Sequence, residues 1–509
     1  MKRTLSFMLI LTFILSFIPV QAEDNEERTW QDEMIYFIMV DRFHNGDKSN
    51  DYEVDVNDPK AYHGGDFKGI TKKLDYIKDM GFTAIWLTPI VKNEPKGYHG
   101  YWTEDFYDVE EHFGTLEEFK SLVEEAHKRE IKVILDLVVN HTGYQHPWLT
   151  DPEKKDWFHE RKGILNWDNQ EDVENGELAG LPDLAQENPE VKKYLLDMAK
   201  WWITETDVDG YRLDTVKHVP KWFWKEFSKE VKSVKDDFFL IGEVWHEDPK
   251  YVADYGNTGI DSFVDYPFFN EAARIFSRPD QSMGRLQAVW KRNTTLYGNA
   301  NILGNFIDNH DNVRFTRLAK ERDQDPVKRI KLALSYMYTA PGIPIIYYGT
   351  EIALDGGEDP DNRRDMEFGT TNEVVTYLSR LSELRKQYPA LRKGDFEVLY
   401  DRLGMTVFKR VYEDEVTIIA INNSTKSQEV ELSTEQIMSD HQLRGVLDEE
   451  VIESSKDGYK LTVESETAEV YVLEEKEETS RMYMIPVVIV PLLFIIFFFI
   501  FRKRVNNRR

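Results

Sequence analysis

Four stretches of the 509-residue chain end in residues able to do acid–base or nucleophilic chemistry. They are Asp136-Leu137-Val138-Val139-Asn140-His141, Gly210-Tyr211-Arg212-Leu213-Asp214, Gly242-Glu243-Val244-Trp245 and Phe306-Ile307-Asp308-Asn309-His310-Asp311. In the second, Arg212 and Asp214 stand two apart, so on a strand both side chains leave the same face. A carboxylate beside a fixed guanidinium stays ionised and can be aimed, which a carboxylate nucleophile requires. Taken alone, the pair reads equally well as a buried structural ion pair. Four polar strand ends at matching positions are hard to explain as packing.

The elements that must position them show as apolar runs of strand length at 34–40, 84–87, 133–135, 210–213, 239–241, 262–264, 302–307 and 344–348. Helix-like segments such as 115–129 and 188–204 lie between most of them. This alternation predicts an α/β fold, a parallel (β/α)8 barrel, with the polar residues at the strand ends where such a barrel places its site. The barrel is expected over 23–140 and 188–393. The stretch 141–187, rich in Trp, Gly, Asp and Asn, is too long for a loop and reads as a subdomain inserted after the third strand. Short alternating runs over 394–473 predict a C-terminal antiparallel β-domain.

The termini predict an address. Residues 1–22 have the layout of a secretory signal peptide. A charged tether over 474–481 leads to an apolar run at 482–501, read as one transmembrane helix, and 502–509 as a basic cytoplasmic tail. The expectation is a single-pass protein of the cell membrane, its body exported; no Leu-Pro-x-Thr-Gly sorting motif precedes the run. The net charge of −28 excludes nucleic acid and anionic lipid as partners and favours cations. With no cysteine there is neither disulfide nor thiol chemistry. Aromatics, 13% of the chain, suit both a large core and surfaces that stack on sugars.

Together with 81–89, 181–184 and 342–351, the four stretches resemble the signatures of the α-amylase family, glycoside hydrolase family thirteen. The resemblance covers about 33–365 and implies that Asp214 is the nucleophile, Glu243 the general acid/base and Asp311 a stabiliser of the transition state. Retaining hydrolysis of a glycoside needs two carboxyls about 5–5.5 Å apart, one to attack the anomeric carbon and one to protonate the leaving oxygen. Glu243, between aromatic surface and other acids, is expected to hold the proton it must give. The resemblance also implies that His141 and His310 bind sugar hydroxyls and that Tyr101, in His99-Gly100-Tyr101-Trp102, lies under the ring at the cleaved bond. Asp359 and Arg363 would contact the donor sugar, Lys217 and His218 the first acceptor sugar. Arg212 is expected to keep Asp214 ionised, while His99 and Trp102 are as readily explained by packing.

One or two calcium ions are expected. Asn140, Asp183 and the backbone carbonyl of His218 match the calcium that, in the family, ties the inserted subdomain to the barrel. A second group, Asn45, Asp47, Asn50, Asp51, Gly64 and Asp66, combines spaced acids and amides with glycine at the bend, which suits calcium. It resembles the N-terminal calcium loop of cyclodextrin glucanotransferases and related bacterial amylases. The expected activity is endo-hydrolysis of α-1,4-glucans, because Ala179, four before Asp183, stands where transferases keep a large aromatic. The alternatives are a cyclodextrin-forming or other 4-α-glucanotransferase, a cyclomaltodextrinase or maltogenic amylase, and a non-catalytic surface glucan-binding protein.

Overall fold

In a computed structural model, eight short strands build a parallel barrel. They are β1 (Ile35–Ile38), β2 (Ala84–Leu87), β3 (Lys132–Leu137), β4 (Gly210–Leu213), β5 (Phe239–Gly242), β6 (Ser262–Phe263), β7 (Gly304–Asn305) and β8 (Ile343–Tyr347). The structure describes residues 28–476 except 371, 456 and 457, together with 495, 497–500 and 502–504. Neighbours pair in parallel register around the ring, for example Ile35 with Ala84, Leu135 with Tyr211 and Leu213 with Gly242. Between β6 and β7 the ring closes through one isolated bridge, Val264 to Gly304. The apolar run at 302–307 thus supplies a strand of only two residues.

Strands buried on both faces read as continuous apolar runs because helices cover the outside of the barrel. Those helices carry recognisable start signals. Thr115 and Glu118 form a reciprocal capping box for the helix Leu116–His127. Asn188 and Asp325 cap helices that begin with proline, Pro189–Thr206 and Pro326–Thr339. Between β3 and β4 the chain makes short helical turns, among them Gln170–Glu174, before the helix Pro189–Thr206 returns it to the barrel.

The C-terminal region folds as an antiparallel sheet of six strands, in the order Asp395–Arg402, Met405–Tyr412, Glu415–Asn422, Thr467–Glu475, His441–Gly445 and Val451–Glu453. A two-stranded sheet, Gln428–Leu432 with Tyr459–Val463, packs with it around Val407, Ile418, Leu443, Leu461 and Tyr471. Two wholly buried arginines secure the region around the end of Pro326–Thr339. Arg410 donates to the carbonyls of Thr339, Leu391 and Gly394, and Arg385 to those of Tyr338, Gly342 and Leu391. A cation on the last carbonyls of a helix satisfies them and opposes the negative end of its dipole.

One expectation is corrected. Among the described residues no helix is long and apolar enough to cross a membrane. Among the described residues the fold is a barrel with an insertion and a β-domain, and the expected transmembrane helix is not among its helices. The expected signal peptide, and most of 482–501, lie outside the described residues.

Replacing Arg410 with methionine keeps the aliphatic stem but removes the arginine donors to the buried Thr339 and Gly394 carbonyls, while Leu391 keeps Arg385. The expected loss is about 3 kcal/mol, seen as a lower midpoint for the first transition in thermal unfolding.

Candidate active site

The C-terminal ends of β3, β4 and β5 converge on one guanidinium. Arg212, on β4, is 1% exposed. Its Nη1 lies 2.8 and 2.9 Å from the two oxygens of Asp136, at the end of β3, and 2.8 Å from Asp214 Oδ1. Its Nη2 lies 2.6 Å from Oε1 of Glu243, just past β5. Parallel register explains the meeting: Asp136 pairs with Arg212, and Arg212 with Ile241, two residues before Glu243.

Each acid has further donors. Asp136 Oδ2 accepts from Tyr101 Oη at 2.8 Å and Trp86 Nε1 at 3.3 Å. Glu243 Oε1 accepts from Tyr266 Oη at 3.0 Å, and its Oε2 from the Thr215 amide at 3.2 Å. The Thr215 hydroxyl donates to Asp214 Oδ2 at 3.1 Å. Thr215 has φ +47° and ψ +42°. Among the described non-glycine residues of positive φ it is the only β-branched one. A residue held there costs about 1–3 kcal/mol and persists only where its surroundings impose it.

Charge within the cluster is unbalanced. Burial pushes the Asp214 carboxyl well above the usual range; Arg212 opposes the rise, while Glu243 and Asp136 add to it. Asp136 is pushed up to about 6, again mainly by burial and against Arg212. The sequence assigns Arg212 wholly to Asp214; in the structure the same cation is divided among three acids.

Above the cluster opens a cavity of about 830 Å³. Asp311 joins it from the loop after β7, with Arg363 Nη2 at 3.4 Å and His310 Nε2 at 3.4 Å. Burial raises the Asp311 carboxyl, against Arg363. Arg363 also pairs with Asp359 at 3.1 Å. Burial pushes His141 down to about 4 and His99 and His310 well below the usual imidazole range, so all three are neutral at pH 7. A neutral imidazole has one donor and one acceptor nitrogen, which suits a hydroxyl group. Tyr101 stacks on His310 with centroids 5.2 Å apart, its ring fixed by its own hydroxyl on Asp136.

On the other side Lys217 Nζ donates to the Trp245 carbonyl at 2.9 Å and lies 5.3 Å from the Trp167 ring centroid. His218 donates from Nδ1 to Val173 O at 3.0 Å. Gln170 donates to the Lys217 carbonyl and accepts from Tyr251, joining the inserted segment to the loops after β4 and β5.

The structure thus brings Asp214, Glu243, Asp311, His99, Tyr101, Trp102, His141, Lys217, His218, His310, Asp359 and Arg363 to one cavity, with Arg212 beneath it. Sequence reasoning did not assign Asp136, Thr215, Tyr266, Tyr144 or Trp167. Asp136 could have been found from its place in the same strand-end stretch as His141. Nothing local distinguishes Thr215, whose backbone angle exists only in the fold.

The expected calcium donors separate into two groups. Asn140 Oδ1 and Asp183 Oδ1 are buried, and neither has a hydrogen-bond partner. The backbone joins them, since His141 bridges to Asp183. The other Asp183 oxygen is 2.6 Å from His159 Nδ1, and burial pushes the carboxyl up to about 7 against that ring. Two orphaned buried oxygens on segments joined by that bridge fit a hard cation. In the N-terminal loop, Asn45 Oδ1 and Asn50 Oδ1 are likewise orphaned, beside Asp51 and the left-handed Gly64. There Asp47 is occupied by Lys68 and Ser49, and Asp66 caps a helix through the amides of Gly46, Asp47 and Gly69. Among the described residues no three His, Asp or Glu side chains converge as a metal cluster, so amides and carbonyls would have to complete either set.

The role expected of Asp214, attack as a carboxylate, requires its ionised form, so activity should fall as pH drops through its raised pKa, with an acid limb above the ordinary carboxylate value of about 3.9. Asp136→Asn removes one charge that raises Asp214 and returns more of Arg212 to it. The acid limb of kcat/KM should then move to lower pH, which a pH–rate profile measures.

Residues 37–486 match the family model described as alpha amylase, catalytic domain. The Beta/alpha-amylase of Paenibacillus polymyxa is 41% identical over 415 residues, covering 78% of this chain and 34% of that protein, so the chain spans about a third of that relative's length. A cyclomaltodextrinase of Thermoanaerobacter pseudethanolicus is 35% identical over 423 residues, 79% of this chain and 71% of that one. The crystal structure of an Anoxybacillus alpha-amylase superposes with a TM-score of 0.88 at 67% identity, covering 88% of this chain and 99% of that chain.

Proposed function

The chain belongs to the α-amylase family of glycoside hydrolases, and on that premise we propose that it hydrolyses α-1,4-glucosidic bonds with retention, cutting starch to maltose and other short maltooligosaccharides and opening cyclomaltodextrins. The observation that carries the reading is the seating of Asp214 and Glu243 on neighbouring nitrogens of Arg212, with the cavity directly above. Such sharing favours the close spacing of a retaining pair, about 5–5.5 Å, over the ~6.5–9.5 Å of an inverting one. Similarity to a cyclomaltodextrinase moves the weight from a purely endo-acting amylase towards the cyclomaltodextrinase and maltogenic alternative.

In the first half-reaction Glu243 gives its proton to the glycosidic oxygen while an Asp214 oxygen bonds to the anomeric carbon. In the second, the Glu243 carboxylate takes a proton from water, whose oxygen displaces Asp214 and restores the original configuration. Asp311 and Arg363 hold the donor sugar, and their grip strengthens as the ring distorts, the differential binding that lowers the barrier. Tyr101 stacks beneath the ring and the neutral His141 and His310 bond its hydroxyls. Acceptor sugar or water enters past Lys217 and His218.

We also propose calcium at Asn140, Asp183 and the His218 carbonyl, where it would supply a cross-link between the inserted segment and the loop carrying Asp214. Chelation should lower both the melting temperature and the activity, and excess calcium should restore both; full activity in chelator would sink that link.

Products from amylose, pullulan and a cyclomaltodextrin, separated by chromatography, test the specificity. Linear maltooligosaccharides dominated by maltose are expected from amylose and the cyclic substrate, with none after Glu243→Gln. An untouched cyclic substrate would restrict the enzyme to ordinary amylase action, and new cyclic products would make it a transferase.

A further inference from the structure

We propose that Thr215 is a positioning residue that couples the two reacting carboxyls, its hydroxyl fixing Asp214 Oδ2 and its amide fixing Glu243 Oε2. The inference rests on the assignment of Asp214 and Glu243 under the proposed function. Each of these acids has one oxygen held by Arg212, and in both cases the other oxygen is held by Thr215. One residue therefore sets the rotation of both carboxyl groups about their Cβ–Cγ or Cγ–Cδ bonds.

The backbone explains how one residue can do both. With φ at +47°, the amide of Thr215 turns towards β5 while its side chain stays on the Asp214 side. Two further bonds fix that turn: the Val216 amide donates to the Glu243 carbonyl at 2.9 Å and the His218 amide to the Thr215 carbonyl at 2.9 Å. A β-branched residue in this conformation is held against its own preference, so the geometry belongs to the site and not to the residue. The hydroxyl is the part that a substitution can remove without disturbing the turn.

Arg212, Asp136 and Glu243 face Asp214 from the strand ends, with Tyr101 and Asp311 on the cavity side. Among these neighbours, Thr215 is the neutral donor to the oxygen that Arg212 leaves open. A donor to the ionised form favours it, so loss of the hydroxyl makes Asp214 easier to protonate.

Thr215→Val keeps the branching and removes the donor; Thr215→Ser keeps the donor and removes the methyl. On a maltooligosaccharide, Thr215→Val is expected to lower kcat about tenfold with KM changed less than about twofold, and to move the acid limb of kcat/KM to higher pH. Thr215→Ser should recover most of the wild-type kcat and the wild-type limb. A readout without turnover is the pH dependence of Asp214 modification by a water-soluble carbodiimide, which consumes the protonated acid, followed by peptide mapping. Modification should persist to higher pH in Thr215→Val and not in Thr215→Ser. If Val and wild type share both the acid limb and the modification profile, or if Ser loses as much as Val, the coupling role is wrong. A wild-type chain that cleaves no glucan would count against the proposed function, while the modification profiles would still decide the role of Thr215.

Discussion

The whole site depends on a single buried cation serving three buried acids. Arg212 cannot lose its proton and cannot leave, so Asp136, Asp214 and Glu243 are drawn to fixed places around it. The balance is incomplete: one positive charge faces three acids, and burial, opposed by Arg212, raises the Asp136 and Asp214 carboxyls above their ordinary range. Removing the cation would leave uncompensated charge in a buried site, which is far more costly than removing an exposed pair.

Parallel strands are what make the arrangement reproducible. Residues at equal register end at equal height, so acids near the ends of adjacent strands meet without any loop having to find them. The loops then add what varies: Asp311 with Arg363 on one side, Lys217 with Trp167 and Gln170 on the other. The inserted segment is tied to the loop after β4 by the Gln170 side chain and the Val173 carbonyl, and it lines the cavity with Tyr144, Trp167, Leu178, Ala179 and Leu181.

Much of this was legible from residues alone. The eight apolar runs became the eight strands because strands covered on both faces are mostly apolar, and the strand-end acids stood out because few other residues in such runs are charged. What was not legible has a common cause. Asp136 looked like one more polar strand end, and only register shows that it competes with Asp214 for Arg212. Thr215 owes its place to a backbone angle that its type disfavours. The contacts of Asp47 with Lys68 and of Asp66 with a helix start come from residues outside the expected calcium loop's own spacing.

The weakest stretch of the ring has a consequence of its own. Where β6 meets β7, two strands of two residues each are joined by a single bridge, and the wall is completed by side chains, Phe269 stacked on Phe306 and Tyr266 on Trp245. A wall of rings can be reshaped one substitution at a time, whereas a hydrogen-bonded ladder must be kept whole. Since Tyr266 and Trp245 also border the acids, this seam is where the barrel could acquire a new pocket contour without being refolded, and so where divergence in substrate shape has the least structural resistance.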